Sequence, residues 1–304
     1  MTVKESFDKA IKKSLGGKEN EYYSSDRVLP EKYYMYYPKD KWDKYIEDMS
    51  PDNRNAYNNG GGKELEERCN DAGIWMPPKM ASYASSSRFV YDLLKGTDVI
   101  FEQKLPTSVP HSTSNMDAFY LSRNIFIEAK CHEIYDSPSP KYKIAFNRFY
   151  NMLAARTGFS YQSTAEINDS EIYFFLDDTP VIQFDLKQII AHTLGIANAC
   201  RLGVKIGKQR IKLNLDSRIS LIYLLFNPKS LRIYLSDAEW TEIQSCYSSE
   251  INFIKDNLGF FRQMFEVSLE YVGFTPTMAI ELAERYDFKL ADQNNYMEVI
   301  HGVG

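Results

Sequence analysis

The stretch SNMDAFYLSRNIFIEAKCHE, residues 114–133, decides how this chain folds. NMDAFYL and IFIEAKC have the aromatic and β-branched make-up of strands, and SRN between them suits a tight turn. The two runs are therefore expected to pair antiparallel. Side chains alternate faces along a strand. Glu128 and Lys130 then point one way, and Ile125, Ile127 and Ala129 point the other, into the core. Pairing about SRN brings Asp117 level with the strand end that carries Glu128 and Lys130. Two carboxylates and an ammonium are expected to converge at a sheet edge, with Glu128 and Lys130 exposed there.

The flanking sequence extends this unit. Upstream, SYASSSRFVYDLLKG reads as a serine-capped helix with Phe89, Val90, Leu93 and Leu94 on one face and Gly96 as its stop. DVIFEQKLP is a strand closed by Pro106, so residues 85–131 run helix, strand, strand, strand. Downstream, SPSPKYKIAFNRFYNMLAAR reads as a loop followed by a helix, and EIYFFLDDTPVIQF as two strands about an Asp-Asp-Thr-Pro turn. DLKQIIAHTLGIANACRLG is an amphipathic helix capped by Asp185 and stopped by Gly203. ISLIYLLF, apolar on both faces, belongs in the sheet interior, and NPKS turns it into a hairpin with LRIYLS.

The remaining segments complete an α/β reading with a mixed sheet. A Tyr/Lys-rich N-terminal extension covers residues 1–60 and ends in the flexible run NRNAYNNGGG; its tyrosines either pack on the core, the favoured reading, or stack on bases with the lysines on phosphates. KELEERCNDAG reads as a short charged helix ending at Gly73, inside a core spanning residues 61–236. Residues 237–304 read as helical: Ser236 and Glu239 fit a capping box, and TPTMAIELAERY begins a late helix.

Composition bounds the function. The 304 residues are 44% hydrophobic and 25% charged, an ordinary globular balance. The formal charge of -5 argues against a general nucleic-acid coat protein but leaves room for a local basic surface. The N-terminus lacks a secretory signal pattern, and the longest apolar run, ISLIYLLF, is too short to cross a bilayer as a helix. Cys69, Cys131, Cys200 and Cys246 are too dispersed for structural zinc and read as free thiols of a cytoplasmic protein.

Asp117, Glu128 and Lys130 form a set with a chemical use. Adjacent carboxylates repel unless a divalent cation lies between them. Mg²⁺, or Mn²⁺ as its substitute, is held by one or two carboxylates and keeps water for the rest, and it activates water toward a phosphoryl centre. A neighbouring lysine orients that water and stabilises the charge that develops on the phosphate. The letters E-x-K carry little by themselves, and the chain supplies its own controls. EQK at Glu102, DLK at Asp185 and DFK at Asp287 share the spacing, but Glu128 alone follows an Asp-bearing strand. The competing account of Glu128 and Lys130 is a plain strand-end ion pair.

The segment SNMDAFYLSRNIFIEAKCHE resembles the PD-(D/E)xK restriction-endonuclease-like superfamily, with Met116 in place of the prolyl residue. SSSRFVYDLL, FEQK, NMDAFY and IFIEAKCHE are also similar to a bacterial family of restriction-endonuclease-like proteins. The resemblance covers residues 85–133, and more loosely the chain to residue 226. It implies a core of helix, three strands, helix and strand in a mixed sheet. It also implies an Mg²⁺-dependent endonuclease acting on DNA, with RNA and a homodimer left open. Asp117 and Glu128 fall on the metal positions, Lys130 on the catalytic lysine, and Glu102 on a further acidic position. Locally, Glu102 fits an ion pair with Lys104 equally well. Gln188 falls where such nucleases place a polar helix residue near the metal. His132 alternates onto the Glu128 face, and Glu133 follows it. His192 reads as a packed or exposed helix residue; Glu64 and Glu67 either supply an acid to the site from an N-terminal helix or belong to a solvated one, the solvated helix being favoured. Two rivals stand beside the nuclease: a non-catalytic nucleic-acid-binding or assembly protein on the same fold, and a structural protein with an ordinary ion pair.

Overall fold

The computed structural model describes residues 2–14, 27–28, 36–60, 62–107, 112–131, 135, 141–143, 162–165, 171–175, 186–227, 229–271, 278–285 and 298–300. The first elements are α1 (Val3–Ser14), α2 (Lys39–Asp48), α3 (Pro51–Asn59), β1 (Arg68–Cys69), β2 (Trp75–Met76) and α4 (Ser86–Leu94). Next come β3 (Val99–Pro106), β4 (Thr113–Tyr120), β5 (Ile125–Lys130), β6 (Lys141–Lys143), β7 (Gln162–Ala165) and β8 (Glu171–Phe175). The chain closes with α5 (Leu186–Leu202), β9 (Val204–Ile206), β10 (Gln209–Ile211), β11 (Ile219–Phe226), α6 (Asp237–Tyr271), β12 (Met278–Arg285) and β13 (Glu298–Ile300).

The protein is a mixed α/β structure. Its main sheet has the order β13-β12-β11-β5-β4-β3. β3, β4 and β5 are antiparallel neighbours, whereas β5, β11 and β12 run parallel. The β4–β5 turn is a single 3-10 turn, Leu121–Arg123, and Asn124 at φ 52° reverses the chain. β11 is buried along its whole length between β5 and β12, as its two apolar faces require. α4 starts where Ser85 Oγ accepts the Arg88 amide (3.2 Å) and stops ahead of Gly96 at φ 85°.

Helices cover both sides of the sheet. Phe226 of β11 packs on Phe89 of α4 and on Phe7 of α1, while Tyr223, on the opposite face, lies near His192 of α5. β3 changes sides between its ends. Phe101 meets Tyr57 of α3 and Tyr91 of α4, but Leu105 lies against Gly195 of α5. An unbroken strand would keep these two residues on one face. The break falls at Glu102, whose left-handed backbone (φ 52°) is uncommon for a residue with a Cβ. α1 and α3 belong to the same core, because Phe7 and Tyr57 are fully buried in it.

Several segments differ from their sequence reading. KELEER does not form a helix. Asn70 Oδ1 accepts the Ala72 and Ile74 amides (3.0 and 2.9 Å), which favours a side-chain-stabilised turn and the β1–β2 hairpin. Residues 229–234 form a 3-10 helix rather than a hairpin strand, because β5 and β12 already occupy both edges of β11. MAIELAER forms β12 instead of a helix, and its parallel pairing along all of β11 overrides the helix propensity of Ala, Glu and Leu. Among the described residues after 236, α6 is therefore followed by two strands. The Ser236–Glu239 capping box is present, with reciprocal bonds of 2.8 and 3.3 Å. Lys141–Lys143 is a strand, β6, in a second sheet of order β6-β8-β7. The expected helix after residue 143, the Asp177–Pro180 turn, Asp185, Asp287 and four of the eight N-terminal tyrosines lie outside the described residues.

Candidate functional site

Sheet register sets three carboxylates in one row. Phe101 pairs with Ala118 and Gln103 with Met116, so Glu102 falls beside Asp117. Ala118 pairs with Ile127, so Asp117 falls beside Glu128 on the next strand. The β4–β5 pairing stops at that point, and Asp117 Oδ2 accepts the Ala129 amide at 2.7 Å. The four residues expected to act together are thus gathered across β3, β4 and β5.

Glu128 is not the exposed strand-end residue of the sequence reading. It is 4% exposed, and it faces the α5 side of the sheet with Tyr223. Lys130 Nζ lies 2.6 Å from Glu128 Oε1, and His192 Nε2 lies 3.2 Å from Oε2. His192 is in turn fixed by Ser114, whose Oγ is 2.5 Å from Nδ1. The path from Ser114 through His192 to Glu128 is buried throughout. A substrate therefore has no access to the Ser114 hydroxyl, and the arrangement positions Glu128 instead of activating a serine. His192 is a packed residue, one of the two readings its helix position allowed. Its position beside Glu128 was not legible, since it lies 64 residues away in sequence.

The charges divide unequally. Burial alone would push the Glu128 carboxyl up, but Lys130 and His192 outweigh it and hold the group at about 2. Burial, then the neighbouring Glu128 and Glu102, push Asp117 well above the usual carboxylate range, against Lys130 and the Ala129 amide. Burial, then Glu64 and Glu128, raise Glu102 to about 8 despite Lys79 and Lys104. Lys104 Nζ donates to the Asn59 carbonyl at 2.5 Å and makes no ion pair with Glu102.

Glu64 is a fourth carboxylate beside the row, and its burial excludes the solvated-helix reading of KELEER. It is buried, and Lys79 Nζ lies 3.4 Å away. Gly60 and Gly62 allow the backbone to close over this end of the site. A Cβ at Gly60 would sit 2.5 Å from Glu102 Oε2, and one at Gly62 would overlap Glu64 Oε1. Glu67 pairs with Arg27 at 2.7 Å instead. Gln188 lies one helical turn before His192 on α5. His132 and Glu133 lie outside the described residues.

Among the described residues, no group of three or more His, Cys, Asp or Glu side chains is arranged to hold a metal ion. The donors in the carboxylate row are nonetheless all oxygens, and burial, reinforced by like charge, drives two of them to hold protons. Such a set fits a hard cation that takes two carboxylates and completes its shell with water and substrate, as Mg²⁺ does. It does not fit zinc, which takes three or four protein ligands. Among the described residues, no helix is long and apolar enough to cross a membrane. No protein-family model, curated protein or solved structure gives a significant match to this chain.

Proposed function

We propose that this chain is a divalent-metal-dependent phosphodiester hydrolase acting on DNA, on a core of the PD-(D/E)xK restriction-endonuclease-like type, and working in the cytoplasm. The observation that carries this reading is the row Glu102–Asp117–Glu128 with Lys130 against Glu128. Asp117 and Glu102 cannot ionise at little cost beside Glu128 without a compensating positive charge. In this reading Asp117 and Glu128 hold Mg²⁺ or Mn²⁺. The ion, when bound, supplies Lewis-acid polarisation and an activated water. Lys130 orients the attacking water and stabilises negative charge on the phosphoryl oxygens. His192, held by Ser114, keeps Glu128 in one orientation.

Calorimetric titration of the purified chain with Mn²⁺ at pH 8 tests this reading. Binding with protons released from the carboxylates, lost in Asp117→Asn, supports it. Equal binding by Asp117→Asn refutes it.

One observation favours a second reading, a nucleic-acid-binding protein that does not cut. Both Glu128 oxygens are engaged, by Lys130 and His192, and Asp117 Oδ2 is taken by the Ala129 amide. That protein would bind DNA equally well with and without divalent cations and leave it intact.

A further inference from the structure

The segment RLGVKIGKQRIK, residues 201–212, holds five basic residues and no acidic one in a chain whose net charge is -5. It comprises the end of α5 and the hairpin β9–β10, which turns tightly at Gly207 (φ 58°). Val204 anchors the hairpin in the core, while Arg201, Lys205, Lys208, Arg210 and Lys212 are all exposed. Lys205 and Arg210 are direct cross-strand partners. Like charges opposed in this way destabilise a hairpin. No carboxylate among the described residues forms an ion pair with any of the five. Arg210 and Lys212 donate to the Gly203 and Arg201 carbonyls (3.2 and 3.3 Å) at the C-terminal end of α5, where cations are favoured. That role does not extend to Lys205 or Lys208.

The hairpin is also tied to the carboxylate row. Gln103 Nε2 donates to the Lys205 carbonyl at 3.3 Å, and Gln103 follows Glu102 in β3. Lys104, Lys205 and Arg210 line one shallow hollow with Asn198. Lys104, on the edge strand that carries Glu102, and Lys205 and Arg210 of the hairpin thus face solvent together.

We propose that the β9–β10 hairpin, with Lys104, is the surface that docks the phosphate backbone of duplex DNA. This inference rests on the nuclease reading for its choice of polyanion. Opposed cations at Lys205 and Arg210 are unfavourable in the free protein and become favourable when phosphates lie between them. Contacts of this kind position the duplex and carry no base specificity.

The test is fluorescence anisotropy of the full chain with a labelled duplex of about 30 bp, long enough for several phosphate contacts, over a series of salt concentrations without divalent cations. The variant Lys205→Ala/Lys208→Ala/Arg210→Ala is compared with a control of equal charge change, Lys39→Ala/Lys41→Ala/Lys44→Ala on α2. Removing three phosphate contacts is expected to reduce the slope of log affinity against log salt by about 2.7 and to weaken binding on the order of 100-fold near 0.1 M salt. The melting temperature should change little, because relief of the Lys205–Arg210 repulsion offsets loss of the Arg210 bond to the Gly203 carbonyl, and the α2 control should bind as wild type does. Unchanged slope and affinity in the hairpin variant would overturn the proposal. So would an equal loss in the α2 control, or hairpin-dependent binding to phosphatidylserine vesicles with none to the duplex. Hairpin-dependent binding in a protein that never cleaves DNA sinks the hydrolase reading alone. Asp117-dependent cleavage with an unaltered hairpin-variant affinity sinks the docking surface alone.

Discussion

The Ala129 amide donates to Asp117 Oδ2 at 2.7 Å, in place of a backbone bond where the β4–β5 ladder stops. Asp117 therefore has a structural role independent of any ligand. An asparagine can keep that bond through its side-chain oxygen, and Asp117 is already driven to hold a proton. Asp117→Asn is expected to change metal-free stability by no more than about 1 kcal/mol. The stabilisation of wild type by Mn²⁺ at pH 8 should disappear. Thermal melts with and without Mn²⁺ check both statements.

Glu128 and Lys130 should behave as a coupled pair. Lys130→Met leaves a buried carboxylate with His192 as its remaining basic neighbour, a loss of about 3 kcal/mol. Lys130→Met/Glu128→Gln removes both charges and should cost clearly less than the sum of the single changes. A double-mutant cycle by urea denaturation measures the difference. Strict additivity would mean that the contact contributes nothing.

The carboxylate row sets the pH dependence of the metal-free protein. Glu102 titrates ordinarily near 4.5 and in the folded chain at about 8. Between those values the folded state holds a proton that the unfolded state has lost, so stability falls as pH rises through this window. The upper bound is about 1.4 kcal/mol per pH unit. Asp117 acts in the same direction. Glu128, lowered to about 2, acts oppositely and withdraws stability as pH falls below its ordinary 4.5. Melts from pH 4.5 to 8.5 should show a decline that Glu102→Gln reduces and that Mg²⁺ reverses most strongly at high pH. A wild-type profile that rises across this range would contradict the charge assignment.

Gly195 tests the packing of α5 on the sheet. Alanine in a helix interior is ordinarily better than glycine by about 1 kcal/mol. Here a Cβ would lie 2.9 Å from both Leu105 Cβ and Ser114 Cβ, atoms that cannot swing away. Overpacking should win, and Gly195→Ala should destabilise by about 1–3 kcal/mol. The shift of α5 should also disturb the Ser114–His192 contact.

The central strands were legible because their signals are local. A two-residue period and a short turn place Asp117 beside Glu128, and an apolar run with no polar face puts β11 inside a sheet. The burial of Glu64 was hidden because Gly62 brings the backbone against its carboxylate, which no periodicity in KELEER records. The burial of Glu128 was hidden for a similar reason, since α5 covers its face from a distant part of the chain. MAIELAER misled because its residues favour a helix in isolation, while the open edge of β11 rewards a strand. The reversal of β3 at Glu102 has no sequence signature, because a glycine or asparagine is the usual mark of such a backbone.

The most direct test is cleavage of supercoiled plasmid by the purified full chain with Mg²⁺ or Mn²⁺, wild type against Asp117→Asn, with equal folding shown by melting temperature. The expected result is divalent-dependent nicking or linearisation by wild type, reduced at least ~100-fold in the variant. Absence of cleavage by wild type with either metal, or equal cleavage by the variant, would contradict the account.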